Sequence, residues 1–143
     1  MLQSRIIPCL LLHKGGLVKT VKFKVPKYVG DPINAVKIFN EKEVDELMLI
    51  DIDATVENRE PHYEQIEDIV SEAFMPVCYG GGVTNTEQMR RLFHSGVEKV
   101  SLSAAALEDM DLVSRAAKQF GSQSVIVTLD IKKSLLHRKY RAV

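Results

Sequence analysis

The sequence predicts an α/β fold of parallel strands, about half of an eight-unit (βα)8 barrel, and three observations carry that expectation. Apolar strand-like runs alternate with amphipathic helical stretches along the whole chain, the pattern of right-handed parallel units. Several of these runs are continuously apolar, as suits parallel strands covered on both faces. Four complete units and one further strand fit in 143 residues, whereas an eight-unit barrel takes about 250. A flavodoxin-like open sheet of five strands is the alternative on counting alone.

The first strand is expected over Arg5–Leu12, with Pro8 at an edge or bulge because it lacks a ladder donor. His13-Lys14-Gly15-Gly16 reads as a turn, and Leu17–Val25 alternates apolar with basic or polar residues, as a half-exposed hairpin does. Asp31 and Pro32 form a helix start, followed by apolar Ile33, Val36, Ile38 and Phe39. Glu46–Ile52 is the second buried strand, Asp53–Pro61 a polar connection, and Tyr63–Ala73 a helix with Ile66, Ile69, Val70 and Ala73 on one face.

Pro76–Tyr79 is the third strand. It runs into Gly80-Gly81-Gly82, with Thr84 and Glu87 spaced as a capping box for the next helix. A backbone without Cβ atoms can approach a ligand closely and turn its N–H groups toward it, so the triple glycine is a candidate phosphate site. A tight turn that needs glycine only for its angles is the plainer reading. Met89, Leu92 and Phe93 mark the helix that ends at Gly96, and Val97–Leu102 is the fourth strand. The small residues Ser101, Ser103, Ala104 and Ala105 leave room for a ligand at its carboxyl end. Asp111–Phe120 is the fourth helix, closed by Gly121, and Ser124–Ile131 the fifth strand, followed by a basic tail from Lys132 to Val143 without a visible cap.

Composition is that of an ordinary globular protein, 45% hydrophobic and 27% charged, with nineteen basic residues balancing nineteen acidic ones. That balance gives no global attraction to nucleic acid or to an anionic membrane. No apolar run approaches the roughly 20 residues that span a bilayer, and the first residues lack the order of a signal peptide, so a cytoplasmic location is expected. Cys9 and Cys78 fall in apolar runs and read as buried thiols without a disulfide. His13, His62, His94 and His137 lack metal-ligand spacing, and no cofactor is expected. A faint internal repeat lays Cys9–Lys14 over Thr128–Lys133 and sets Leu11 against Asp130.

Arg5–Leu10, Gly30-Asp31-Pro32, Asp45-Glu46-Leu47, Leu49–Ile52, Gly80–Gly82, Val97–Ser101 and Phe120–Ser124 together resemble the cyclase subunit of imidazole glycerol phosphate synthase. The resemblance covers nearly the whole chain but only the amino-terminal half of that family's barrel. It implies a glutaminase partner on the amino-terminal face, whose ammonia crosses the barrel to a phosphorylated substrate on the opposite face. By the same resemblance Asp130 is the strand 5 acid or base. Asp51 lies near substrate, and Lys19 sits on a mobile loop that closes over it. Gly82, Ser101, Ser103 and Ala104 fall on the first phosphate site, and Arg5, Glu46 and Lys99 on the charged ring of the ammonia entrance.

Leu11 departs from this pattern. It stands where the family carries its strand 1 catalytic aspartate, and an apolar side chain can neither take nor give a proton. The change resembles a divergent branch, the barrel proteins of acetamidino-sugar synthesis for surface polysaccharide. A half-barrel alone would expose strands 1 and 5 as edges, which makes self-association the expectation for a non-catalytic fragment.

Overall fold

The computed structural model describes residues 3–134 and 139–143. The chain order is β1 (Cys9–His13), β2 (Gly16–Val21), β3 (Lys24–Gly30), α1 (Pro32–Glu41), β4 (Leu47–Asp51), α2 (Tyr63–Ser71), β5 (Val77–Gly80), α3 (Thr86–His94), β6 (Lys99–Leu102), α4 (Ala104–Glu108), α5 (Met110–Phe120), β7 (Val125–Val127), β8 (Ile131–Lys133) and β9 (Tyr140–Ala142). Part of the basic tail, including His137, lies outside the described residues.

Seven strands form one sheet in the order β3-β2-β1-β4-β5-β6-β7. Within it β1, β4, β5, β6 and β7 are all parallel and pair strictly in sequence. A flavodoxin-like sheet places its first strand between its second and third, so this order excludes that alternative. Sequential parallel strands joined by crossovers of one hand put every helix on one face, the arrangement of a partial (βα)8 barrel.

Strand alternation then separates two faces. Leu47, Leu49, Val77, Tyr79, Val100 and Leu102 point toward the helices and are sealed in a core with Val36, Ile66, Ile69, Met89, Leu92 and Leu112. Leu11, Met48, Ile50 and Ile126, on the opposite face, are only partly buried. The expectation of strands covered on both faces is corrected here, because among the described residues no second layer closes the inner side. Cys9 shares that inner face and is exposed, whereas Cys78 is buried; both are free thiols. Strand 1 is also less of an edge than expected, since β2 pairs with its upper half from Leu11 to His13.

Local chemistry sets the helix starts. Asp31 Oδ2 accepts from Asn34 N at 3.0 Å with Pro32 at the first helical position, as the sequence suggests. Of the apolar residues in α1, Ile38 turns outward and is exposed. The cap of α3 is Asn85, not Thr84: Asn85 Oδ1 accepts from Gln88 N at 2.9 Å, and Gln88 Oε1 accepts from Thr84 N at 2.7 Å. Gln88 thus closes on the residue before the cap, while Asn85 caps the helix itself.

Three further boundaries differ from expectation. The stretch Ala104–Glu108 is the short helix α4, and Ser103 precedes it. A 3-10 turn over Ser122–Ser124 delays the fifth strand, and β7 ends at Val127. The tail folds back as the antiparallel pair β8 and β9, where Val143 N also donates to the Asp130 carbonyl at 2.9 Å.

The reassigned cap gives a direct test. Asn85→Ala should lower stability by about 1 kcal/mol in urea denaturation, and Thr84→Ala should lower it by less than half as much. The reverse order would restore Thr84 as the cap.

Candidate functional site

Two groups of polar residues lie at opposite ends of the parallel strands. At the amino-terminal end, Glu46 is 2% exposed and receives two cations from neighbouring elements. Arg5 Nη2 lies 2.8 Å from its Oε2, and Lys99 Nζ lies 2.7 Å from Oε1 and 2.9 Å from Oε2. The three residues assigned to the entrance are therefore in contact. Burial pushes the nearby Cys78 thiol up to about 12, with the Glu46 charge adding to the rise, which makes it unreactive.

At the carboxyl-terminal rim, a cleft of about 200 Å³ lies between the β5–α3 turn and the β6–α4 turn. Gly81, Gly82, Ser101, Ser103 and Ala104 line it, with Thr55 and Arg59 from the β4–α2 loop. Gly81 and Gly82 have φ of 117° and 70°. A Cβ on Gly81 would strike the Asp51 carbonyl oxygen, and one on Gly82 would stand 2.6 Å from the Arg59 carbonyl oxygen and 2.8 Å from Ala54 Cβ. The glycines are needed first because another backbone is pressed against them. That pressing brings Thr55 to the turn, where its Oγ1 accepts from Gly82 N at 3.4 Å.

Asp51, at the end of β4, holds this loop in shape. Its Oδ1 accepts from Asp53 N at 2.9 Å and Ala54 N at 3.1 Å, and Arg59 Nη2 donates to Oδ1 and Oδ2 at 3.1 and 2.9 Å. Both oxygens are occupied, so Asp51 orients Arg59 toward the cleft. Arg59 is held further by Glu57, 2.7 Å from its Nε, and the hydrogen bond that the guanidinium donates to that carboxylate raises its affinity for its proton.

Asp53 is the second anchor. Its Oδ1 lies 2.7 Å from His13 Nδ1 and its Oδ2 accepts from Lys14 N at 2.7 Å, tying the β1–β2 turn to the β4–α2 loop. Burial raises the affinity of Asp53 for its proton, but the Lys14 N–H, His13 and Arg59 together outweigh this and hold its carboxyl below the ordinary value.

Other candidates stand apart from the cleft. Gly80 closes β5 beside Ser101, which is buried and shares a hydrogen bond with Thr128. Lys19 is exposed on β2, opposite Lys27 of β3. Asp130 is exposed three residues beyond the end of β7. Sequence reasoning missed Arg59, Thr55, Asp53 and His13. The one available signal was the density of charge in the connection after β4.

With this geometry in place, comparison with known proteins assigns the family. Residues 5–142 match the model of the histidine biosynthesis protein family. The chain belongs to that family. It is 60% identical over 133 residues to a Pseudomonas aeruginosa protein named for the imidazole glycerol phosphate synthase subunit hisF2, covering 93% of this chain and 53% of the relative. A Vibrio vulnificus protein named for subunit hisF3 is 56% identical, covering 98% and 54%. The imidazole glycerol phosphate synthase subunit HisF of Natranaerobius thermophilus is 40% identical, covering 94% and 53%. The chain thus spans about half the length of these histidine biosynthesis relatives. Among the described residues no group of three or more His, Cys, Asp or Glu could hold a metal ion, and no helix is long and apolar enough to cross a membrane.

Two substitutions test the rim. Gly82→Ala should destabilise by about 2 kcal/mol, from a positive φ and a backbone collision together, while Gly30→Ala, with open space around it, should change stability by less than about 1 kcal/mol. Because the folded Asp53 carboxyl lies below its unfolded value, its contribution is present above the unfolded value of about 3.9 and is lost as pH falls through the folded one. Asp53→Asn should therefore cost more stability at pH 7 than at pH 2.5, as read from thermal melts.

Proposed function

We propose that this chain is the amino-terminal half of a cyclase-type synthase subunit that accepts ammonia from a glutaminase and delivers it to a phosphorylated substrate. The observation that carries the reading is the placement of two polar sites at opposite ends of one parallel sheet. The Arg5–Glu46–Lys99 cluster is at the amino-terminal mouth and the glycine cleft at the carboxyl-terminal rim. Catalysis in such barrels is placed at the carboxyl-terminal rim.

In this reading the backbone N–H groups of Gly81, Gly82 and Ala104, with the Ser103 hydroxyl, hold a phosphate, and Arg59 supplies positive charge beside it. Ser101 forms the wall of the same site, and Gly80, paired with it, backs that wall from outside the cleft. Asp51 acts through Arg59, Asp130 supplies the acid or base, and Lys19 reaches substrate when its ribbon closes. The glutaminase docks over Arg5, Glu46 and Lys99, in the cytoplasm.

Leu11 directs the substrate away from the histidine-pathway intermediate, because general acid–base help from a positioned group contributes about 10²–10⁴ in rate and Leu11 can offer none. Amidination of an acetamido sugar for surface polysaccharide, with a nucleotide-linked sugar supplying the phosphate, is the reading that this substitution favours. A second reading rests on the open inner face of Leu11, Met48, Ile50 and Ile126: the 143-residue chain by itself is a non-catalytic half that holds phosphate and pairs through this face with a second copy.

Both are measurable. Full-length protein given ammonium and the bis-phosphorylated histidine intermediate should turn over at least about a hundredfold more slowly than its Leu11→Asp variant, by absorbance assay of product. Equal, rapid turnover would remove the argument from Leu11. The 143-residue chain alone should sediment faster as its concentration rises, and a concentration-independent monomer would count against pairing.

A further inference from the structure

The β4–α2 loop touches the glycine turn on one side and the root of the β1–β2–β3 ribbon on the other. On the glycine side, its Asp51 and Arg59 carbonyls pack against Gly81 and Gly82, and Thr55 accepts from Gly82 N. On the ribbon side, Asp53 bonds His13 Nδ1 through one oxygen and Lys14 N through the other, next to the backbone bond from Ile52 N to the Leu12 carbonyl. The side chains of His13 and Asp53 are 27% and 12% exposed, so the junction is partly shielded from water. Beyond that root, the ribbon carries the exposed Lys19 and is exposed throughout from Val21 to Val29. Gln65 Nε2 on α2 also reaches the turn, donating to the Gly15 carbonyl at 2.8 Å.

From this juxtaposition we infer that Asp53 is a positioning residue, which fixes the Lys19 ribbon to the loop that frames the glycine cleft and makes the ribbon's position respond to occupancy of the cleft. The inference rests on the reading of that cleft as a phosphate site. An anion there would draw on Arg59 and the Gly82 N–H. Both groups are bonded to the loop segment that includes Asp53, whose own N–H is held by Asp51. A ligand that orders this loop therefore orders the ribbon root through two hydrogen bonds of 2.7 Å. Sequence proximity plays no part, since His13 and Asp53 are 40 residues apart.

Amide hydrogen exchange of the full-length protein, with and without inorganic phosphate, tests this. In the unmodified protein, phosphate should slow exchange in both the glycine turn and the segment 16–30. Asp53→Ala should speed exchange of 16–30 about tenfold without ligand, from loss of two hydrogen bonds. With phosphate it should leave protection at the glycine turn alone. His13→Gln, which leaves the β4–α2 loop intact, should act in the same direction and guards against a folding defect in the alanine variant. Unchanged exchange of 16–30 in both variants would overturn the positioning role, as would ribbon protection by phosphate that survives in both. Lack of phosphate protection at the glycine turn in the unmodified protein would remove both the phosphate reading and the response to occupancy. The anchoring by Asp53 would still be judged by the ligand-free comparison.

Discussion

The rim of this protein depends on one buried carboxylate. Asp51 leaves the end of β4 and gathers two backbone N–H groups and the Arg59 guanidinium, which winds the β4–α2 loop into a compact bracket. The loop's carbonyl oxygens then lie so close to the next strand's end that only glycine fits at positions 81 and 82. The triple glycine is thus the receiving half of a packing contact whose other half lies some thirty residues upstream. The two readings of the glycines, tight packing and ligand approach, are complementary. The glycine turn lines the same cleft that this loop furnishes with Thr55 and Arg59, and Gly82 N donates to Thr55 Oγ1.

Strand register gives the internal repeat a geometric meaning. The hydrogen-bonded row through Leu11 passes Ile50, Gly80 and Ser101 to Ile126. A barrel with a shear of about eight over eight strands climbs about one residue per strand, so the residue level with Leu11 lies about four positions from Ile126. One such position, Ser122, is in the turn before β7, and the other is Asp130. Leu11 and Asp130 are therefore equivalent places on the rim, as the overlay of the two segments implies. Both strands also feed an antiparallel hairpin, β2–β3 after β1 and β8–β9 after β7. The chain carries a leucine at one of these two matched places and a carboxylate at the other.

Most of the fold was legible because it rests on local signals. Asp31 and Pro32 start α1, Gly121 with φ of 93° ends α5, and continuous apolar runs mark β4, β5 and β6. What was not legible depends on partners distant in sequence. Ser124–Ile131 has strand composition throughout, yet β7 stops at Val127 because β6 offers only Lys99–Leu102, and Ile131 alone of its second half joins the pair with Tyr140–Ala142. Cys9 lies in an apolar run as Cys78 does, but their burial differs because β2 reaches only Leu11–His13 and leaves Cys9 with a strand on one side, whereas Cys78 has Met48 and Lys99 on its two sides. At the site, glycines and strand-end residues announced themselves, while Asp53 and Arg59 looked like solvated loop charges until their partners came within 3 Å.

The opposite mouth shows why its charges belong together. Glu46 immediately precedes β4, and Lys99 stands on the row that runs from Cys9 through Met48 and Cys78. Alternation puts Glu46 on the same inner face as Met48, so its carboxylate is carried under the sheet, where water cannot solvate it. A carboxylate buried to this extent is costly unless it is paired, and breaking such a pair typically costs about 3–5 kcal/mol. Arg5 alone would be a weak remedy, because its own side chain is half exposed, whereas Lys99 is shielded and meets both oxygens. The two cations share the one buried anion, while Asp45 next to it accepts from Ile6 N at 2.7 Å and ties the Arg5 segment to the start of β4.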